Sequence, residues 1–132
     1  MSEVALPAAL LDAWPYARFL GVRLEAGLAV LPFDPRLIGN PILPALHGGV
    51  VASFLELAAL ARLDAAGRRA RTIDITVDYL RPVRPVATYA EARILKLGRR
   101  AANLAVEAWQ DDRDSPVAAL RGHFMILGPP GG

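Results

Sequence analysis

From residue 72 to residue 80 the sequence T-I-D-I-T-V-D-Y-L alternates polar and apolar positions, with Ile73, Ile75, Val77 and Tyr79 on one face and Thr72, Asp74, Thr76 and Asp78 on the other. Strict period two marks a half-buried strand. Pro82 and Pro85 end it, and residues 87–97, 101–110 and 117–127 read as three further strands, divided by Gly98 and by the turn D-D-R-D-S-P. Upstream, residues 21–26 and 28–34 form two short strands around Gly27, a hairpin. Residues 7–18 begin as a short helical segment, which Pro15 interrupts because proline cannot continue a helix interior. Pro35, Pro41, Pro44, Gly39 and Asn40 make residues 35–46 a loop with fixed turns.

One long helix is expected over residues 50–66, stopped by Gly67. Its only polar side chains are Ser53, Glu56, Arg62 and Asp64. A helix apolar nearly all round must be buried on most sides. The strands supply the cover, and their short links favour antiparallel pairing. The pattern therefore predicts an α+β fold, an antiparallel sheet of about six strands curled around one long central helix. A chain of 132 residues supports a single domain over residues 1–132, and no internal repeat divides it.

Composition narrows the chemistry. There is no cysteine, so disulfides and thiolate chemistry are excluded, and with His47 and His123 as the only histidines no metal centre is expected. No run approaches the roughly 18 apolar residues of a membrane span, and M-S-E-V-A-L-P lacks the charged start of a signal peptide. A cytoplasmic protein without membrane association is expected. The net charge is only +2, yet every cation except Lys96 is arginine. Arg68, Arg69, Arg71, Arg81, Arg84, Arg99 and Arg100 fall in three short stretches, and arginine suits phosphate geometry, so a phosphate-bearing ligand is one reading and solvated surface the other. Nucleic acid is not expected, because no exposed aromatics interleave with these arginines and acidic residues nearly balance them.

The chemistry-bearing stretch is L-H-G-G-V-V-A-S-F-L-E-L-A-A-L, residues 46–60. Gly48 and Gly49 open the helix, where free backbone N–H groups meet the positive end of the macrodipole. They fit either an oxyanion hole or simply a tight passage from loop to helix. Glu56 is the only acid in the first three helical turns. An unpaired buried carboxylate costs several kcal/mol, so Glu56 requires either an arginine partner or a catalytic purpose.

The ordered set P-Y-A-R-F-L-G-V (15–22), L-H-G-G-V (46–50), a carboxylate nine residues after the histidine (Glu56), T-I-D-I-T-V-D-Y-L-R-P (72–82) and L-G-R (97–99) resembles the hot-dog acyl-CoA thioesterases, in particular their phenylacetyl-CoA thioesterase-like branch. The resemblance spans nearly the whole chain. It implies the hot-dog fold and hydrolysis of an acyl-CoA thioester to free acid and CoA. It implies no cofactor beyond the coenzyme A that the substrate carries. Glu56 matches the family's catalytic acid, as general base or nucleophile; many members of the branch have aspartate there, and other hot-dog thioesterases glutamate. The amide of Gly48 matches the donor that polarises the thioester carbonyl, with Gly49 beside it. His47 either anchors the loop or touches the ligand. Thr72 stands where related enzymes orient the attacking water with a hydroxyl. Asn40 is the candidate for a family asparagine six residues before the histidine, although here the spacing is seven and Pro41 occupies the family position. Arg81, Arg99 and Arg100 are the implied contacts to CoA phosphates.

Gly48 and Glu56 are eight residues apart, ~12 Å along a helix. One chain's pair cannot grip one thioester, so if both residues act, Gly48 of one chain must face Glu56 of another in a twofold dimer. The resemblance implies the same homodimer, often paired again into a homotetramer. Two other readings compete: a non-catalytic acyl-CoA-binding protein of the same fold, and a hot-dog dehydratase of hydroxyacyl thioesters.

Overall fold

A computed structural model describes residues 4–40, 42 and 45–128, the side chain of Asn40 excepted. The chain begins with β1 (Val4–Ala5), α1 (Ala8–Ala13) and α2 (Tyr16–Leu20), the two helices separated at Trp14 and Pro15 as the proline requires. The hairpin follows as β2 (Arg23–Glu25) and β3 (Leu28–Leu31). Its two-residue turn has φ of 52° at Ala26 and 84° at Gly27, the paired positive values that match the twist of the flanking strands.

Residues 35–46 are more ordered than a loop. A 3₁₀ turn at Pro35–Leu37 leads into β4 (Ile38–Asn40), which pairs with β5 (Ala45–Leu46) in a separate two-stranded ribbon. Asp34 caps the turn by accepting from the Arg36 backbone N–H at 2.9 Å, while its carboxyl also takes the Arg36 guanidinium. Hydrogen bonding from the Arg36 side chain, then from its N–H, holds that carboxyl below the ordinary carboxylate range.

The long helix α3 spans Gly48–Ala65 and takes in both glycines. It ends as its sequence directs. Gly67 has φ of 79°, its N–H reaches Asp64 and the Arg68 N–H reaches Leu63, which satisfies two of the last carbonyls. Phe54, Leu55, Leu57, Ala59 and Leu63 are fully buried, although they point to different sides of the helix. The sheet covers one side, and α1 and α2 pack on α3 from elsewhere.

Four long strands complete the fold: β6 (Arg69–Tyr79), β7 (Thr88–Leu97), β8 (Ala101–Trp109) and β9 (Ala118–Gly128). The main sheet has seven strands, one more than expected, in the order β1-β2-β3-β7-β8-β9-β6 and antiparallel throughout. The extra strand is the two-residue β1, too short to show a period. Chain order and sheet order also differ, since β6 pairs with β9 rather than with β7 and so lies at the edge of the sheet.

One feature of β6 corrects the two-face reading. Its register against β9 shifts between Thr72 and Asp74: Thr72 lies opposite Phe124 and Asp74 opposite His123, leaving Ile73 as an extra residue. This is a β-bulge. Ile73 and Asp74 both turn outward, Ile73 being 53% exposed, and Thr72 joins Ile75 and Val77 on the side facing α3. Gly122, opposite Ile75, sits against the irregularity, and a Cβ there would meet the Phe124 ring at 2.9 Å and the Asp74 carbonyl at 3.1 Å. Because Phe124 is fully buried and cannot step aside, Gly122→Ala will destabilise the fold by about 1–3 kcal/mol through overpacking. A urea unfolding midpoint equal to that of the parent protein would contradict this.

Candidate active site

The start of α3 is fixed from three directions. Leu46 donates its N–H to the Val83 carbonyl and His47 donates to that of Leu37, each at 2.8 Å. Gly39 backs the turn, where a Cβ would meet the His47 Cα at 3.0 Å. Tyr79 donates its hydroxyl to the Gly48 carbonyl at 2.8 Å, joining the far end of β6 to the first helical residue.

His47 itself caps the helix. Its Nδ1 accepts the Gly49 N–H at 2.9 Å, and its carbonyl takes the N–H groups of Val50 and Val51. An Nδ1 that accepts leaves the proton of the neutral ring on Nε2. The two glycines are thereby distinguished: the Gly49 N–H is engaged, and the Gly48 N–H has no acceptor among the described residues. Gly48 is exposed, so this N–H stands at the positive end of α3, open to a ligand oxygen.

Two turns further on, Glu56 is half-buried, and its Oε2 accepts the Thr72 hydroxyl at 2.5 Å. The bulge makes this contact possible, because an uninterrupted alternation would aim Thr72 to the outer face with Asp74. Around the pair lies an open cleft of about 500 Å³, lined also by Ala13, Trp14, Ala70, Arg71 and Leu127. A separate cleft of about 330 Å³ lies beside Gly48, with Tyr79, Arg81 and Pro82 in its wall. The chain thus carries two candidate half-sites, an open N–H in one and a hydroxyl-anchored carboxylate in the other.

The arginines divide in the same way. Arg81 is exposed beside the Gly48 cleft and donates Nη1 to the Pro116 carbonyl. Arg99 and Arg100 are exposed on the turn between β7 and β8, next to Ala101, which aligns through Met125 with Arg71. Ten residues of extended chain, ~33 Å, separate Arg71 from Arg81. The single chain therefore does not bring Arg81 together with Arg99 and Arg100. Arg84 is paired with Asp111. Asn40 ends β4 opposite Ala45, while its side chain and Pro41 lie outside the described residues.

Tyr79 and Trp14 line the two clefts, and the sequence did not single them out as candidate site residues. Tyr79 belongs to an apolar stripe and its partner lies 31 positions away, so no local pattern signals it. Among the described residues no cluster of three or more histidine, aspartate or glutamate side chains could hold a metal ion, and no helix is long and apolar enough to cross a membrane.

Comparison with known proteins gives the same picture. The family model of the thioesterase superfamily matches residues 43–117, a span that contains Gly48, Glu56 and Thr72. The medium/long-chain acyl-CoA thioesterase YigI of Salmonella typhimurium is 35% identical, with 85% of each chain covered. Among solved structures, a Chromobacterium violaceum protein is 36% identical at a TM-score of 0.68, covering 91% of this chain and 88% of its own. The PaaI protein of the Escherichia coli phenylacetic acid degradation operon shares the fold at a TM-score of 0.74 and 22% identity, covering 92% of this chain and 91% of its own. The hot-dog architecture expected from the sequence is the one observed, and the chain belongs to the thioesterase superfamily.

Proposed function

We propose that this protein is an acyl-CoA thioesterase whose active site forms across a homodimer. The observation that carries the proposal is the pairing on one helix of an open Gly48 N–H at its start and a Thr72-anchored Glu56 carboxylate two turns later. The ~12 Å between them is too far for one thioester. A twofold axis beside α3 would place Gly48 of the partner subunit opposite Glu56. The edge position of β6 supports such an axis: eleven residues long and paired with β9 alone in the sheet order of the described residues, β6 can offer its outer edge from Arg71 to Tyr79 to its own copy. The same operation carries the partner's Arg81 toward the sheet end that holds Arg71, Arg99 and Arg100. Phosphates of CoA would then meet arginines from both chains.

In the reaction Glu56 acts as general base. Thr72 occupies Oε2 and helps orient a water whose proton passes to the carboxylate. The water oxygen attacks the thioester carbonyl carbon, and the negative charge that develops on the carbonyl oxygen is held by the partner's Gly48 N–H and the helix dipole. Collapse of the adduct breaks the C–S bond, and the proton held by Glu56 goes to the leaving sulfur, giving free acid and CoA. The names of the curated relatives favour a medium or long acyl chain. A CoA substrate also supports the cytoplasmic location expected from the sequence. The test is CoA release, followed with a thiol reagent over a panel of acyl-CoA thioesters, with turnover expected on medium and long chains. Tight binding of every acyl-CoA without release of thiol would instead establish a non-catalytic binding protein.

A further inference from the structure

We infer that the alkyl end of the substrate lies in a pocket beneath α1, with Leu10, Ala13 and Trp14 setting the chain length accepted. This deepens the thioesterase reading and rests on it. The Glu56 cleft does not end at Trp14. A small cavity of about 50 Å³ adjoins it, lined by Ala9, Leu10, Leu60 and Asp64, and shares Ala13, Trp14, Arg69 and Ala70 with the larger cleft. The two share these four lining residues and so lie side by side. Glu56, Leu60 and Asp64 are spaced by four residues, so they stand above one another on one face of α3, ~6 Å apart per step. From cleft to cavity, that face of α3 therefore runs from the carboxylate over an apolar leucine to a second acid.

Chemistry then orients the substrate. Leu10 and Trp14 pack against the core on their inner sides, and with Leu60, Ala13 and Ala70 they make the lining between cleft and cavity mostly apolar, Arg69 being the charged residue that both share. At its far end Asp64 and Arg68 present polar groups that an alkyl terminus gains nothing by meeting. The Gly48 cleft runs instead into a polar depression containing Arg81, Arg84, Asp111 and Asp112. An apolar tail is thus better matched to the cavity beside Leu60 than to the polar surroundings of Gly48. A larger cavity of about 240 Å³, lined by Ala29, Ala58, Ala61, Ala65 and Ala90, does not compete for the tail. Ala58 is two residues from Glu56, roughly 200° around a helix of 3.6 residues per turn. A chain attached at Glu56 would have to pass through α3 to reach it.

Ala13 lines both cleft and cavity, and it is exposed, so enlarging it does not disturb the core. The experiment measures binding of S-alkyl-CoA thioethers, from butyl to hexadecyl, by calorimetry on the full chain, the Ala13→Phe variant and the Leu10→Ala variant. Thioethers cannot be hydrolysed, so failure of the thioesterase reading would appear separately, as absence of CoA release from acyl-CoA. For the parent protein, affinity should rise about fourfold per methylene until the pocket is full and then level off. Ala13→Phe should weaken dodecyl-CoA binding by about tenfold or more, the equivalent of losing two buried methylenes, and butyl-CoA binding by clearly less. Leu10→Ala should move the plateau to longer chains. Superimposed curves for the three proteins would overturn the inference. So would a loss in Ala13→Phe that is equal for butyl and dodecyl ligands.

Discussion

Glu56→Gln will lower kcat for CoA release by at least about a hundredfold, the usual size of a lost general base, and will leave folding intact. Glutamine has the shape of glutamate, its amide oxygen can still accept the Thr72 hydroxyl, and its helix propensity is close to that of the residue it replaces. What disappears is the capacity to take a proton from water. Because the side chain is only half-buried, removing its charge opens no cavity and leaves no buried donor unpaired. A thermal melt and a thiol-reagent assay on the same sample separate the two effects. Full activity in Glu56→Gln would end the assignment, whereas a low rate accompanied by a collapsed melt would show that Glu56 holds the fold instead.

The parts of this protein visible in its sequence are those set by local rules. The stop of α3 at Gly67 is local, because a residue at positive φ after a helix favours glycine. The Ala26–Gly27 turn and the break at Pro15 follow for similar reasons. The β6 bulge is different. T-I-D-I-T-V-D-Y-L alternates without a fault through residue 73, so nothing in it announces an extra residue. The fault arises where β6 meets β9, with small Gly122 beside fully buried Phe124, and its result is that a threonine turns inward while an isoleucine faces out. Register set by a neighbouring strand cannot be read from one strand's pattern.

The H-G-G tripeptide was legible only to the level of its amides. Two glycines at a helix start present two N–H groups, and helix geometry alone does not say which stays open, although the family resemblance points to Gly48. The imidazole decides by capping Gly49, an arrangement that cap preferences for serine, threonine, aspartate and asparagine would not suggest. Likewise, β4 and β5 have three and two residues, too few for any period to emerge. Glu56 stood out for the opposite reason. A single charge in an apolar run is conspicuous however the chain folds, and only its partner, Thr72, had to wait for the structure.

Gly48→Pro tests the other half-site by deleting one N–H group. Proline is well tolerated at the first position of a helix, where its missing N–H has no intrahelical acceptor in any case. His47, at φ −59° and ψ 135°, already has the backbone geometry that a following proline imposes. A Cβ at Gly48 meets the Tyr79 hydroxyl at 3.5 Å, an ordinary contact. The variant will therefore fold, and its kcat will fall by about 10²–10³, as for loss of one oxyanion donor. Mixing then shows whether the site spans two chains. Co-refolded in equal amounts, inactive Glu56→Gln and inactive Gly48→Pro chains form mixed dimers in which one of the two sites combines an intact Gly48 with an intact Glu56. About a quarter of the parent activity should return. Putting both substitutions on one chain and mixing it with the parent protein reverses the logic, because a mixed dimer then has no intact site. About a quarter of the all-parent activity should survive if the site is shared, against about half if each chain works alone. Recovery in the first mixture with a deficit in the second requires a shared site; no recovery in the first, with half retained in the second, would place Gly48 and Glu56 in independent roles on each chain.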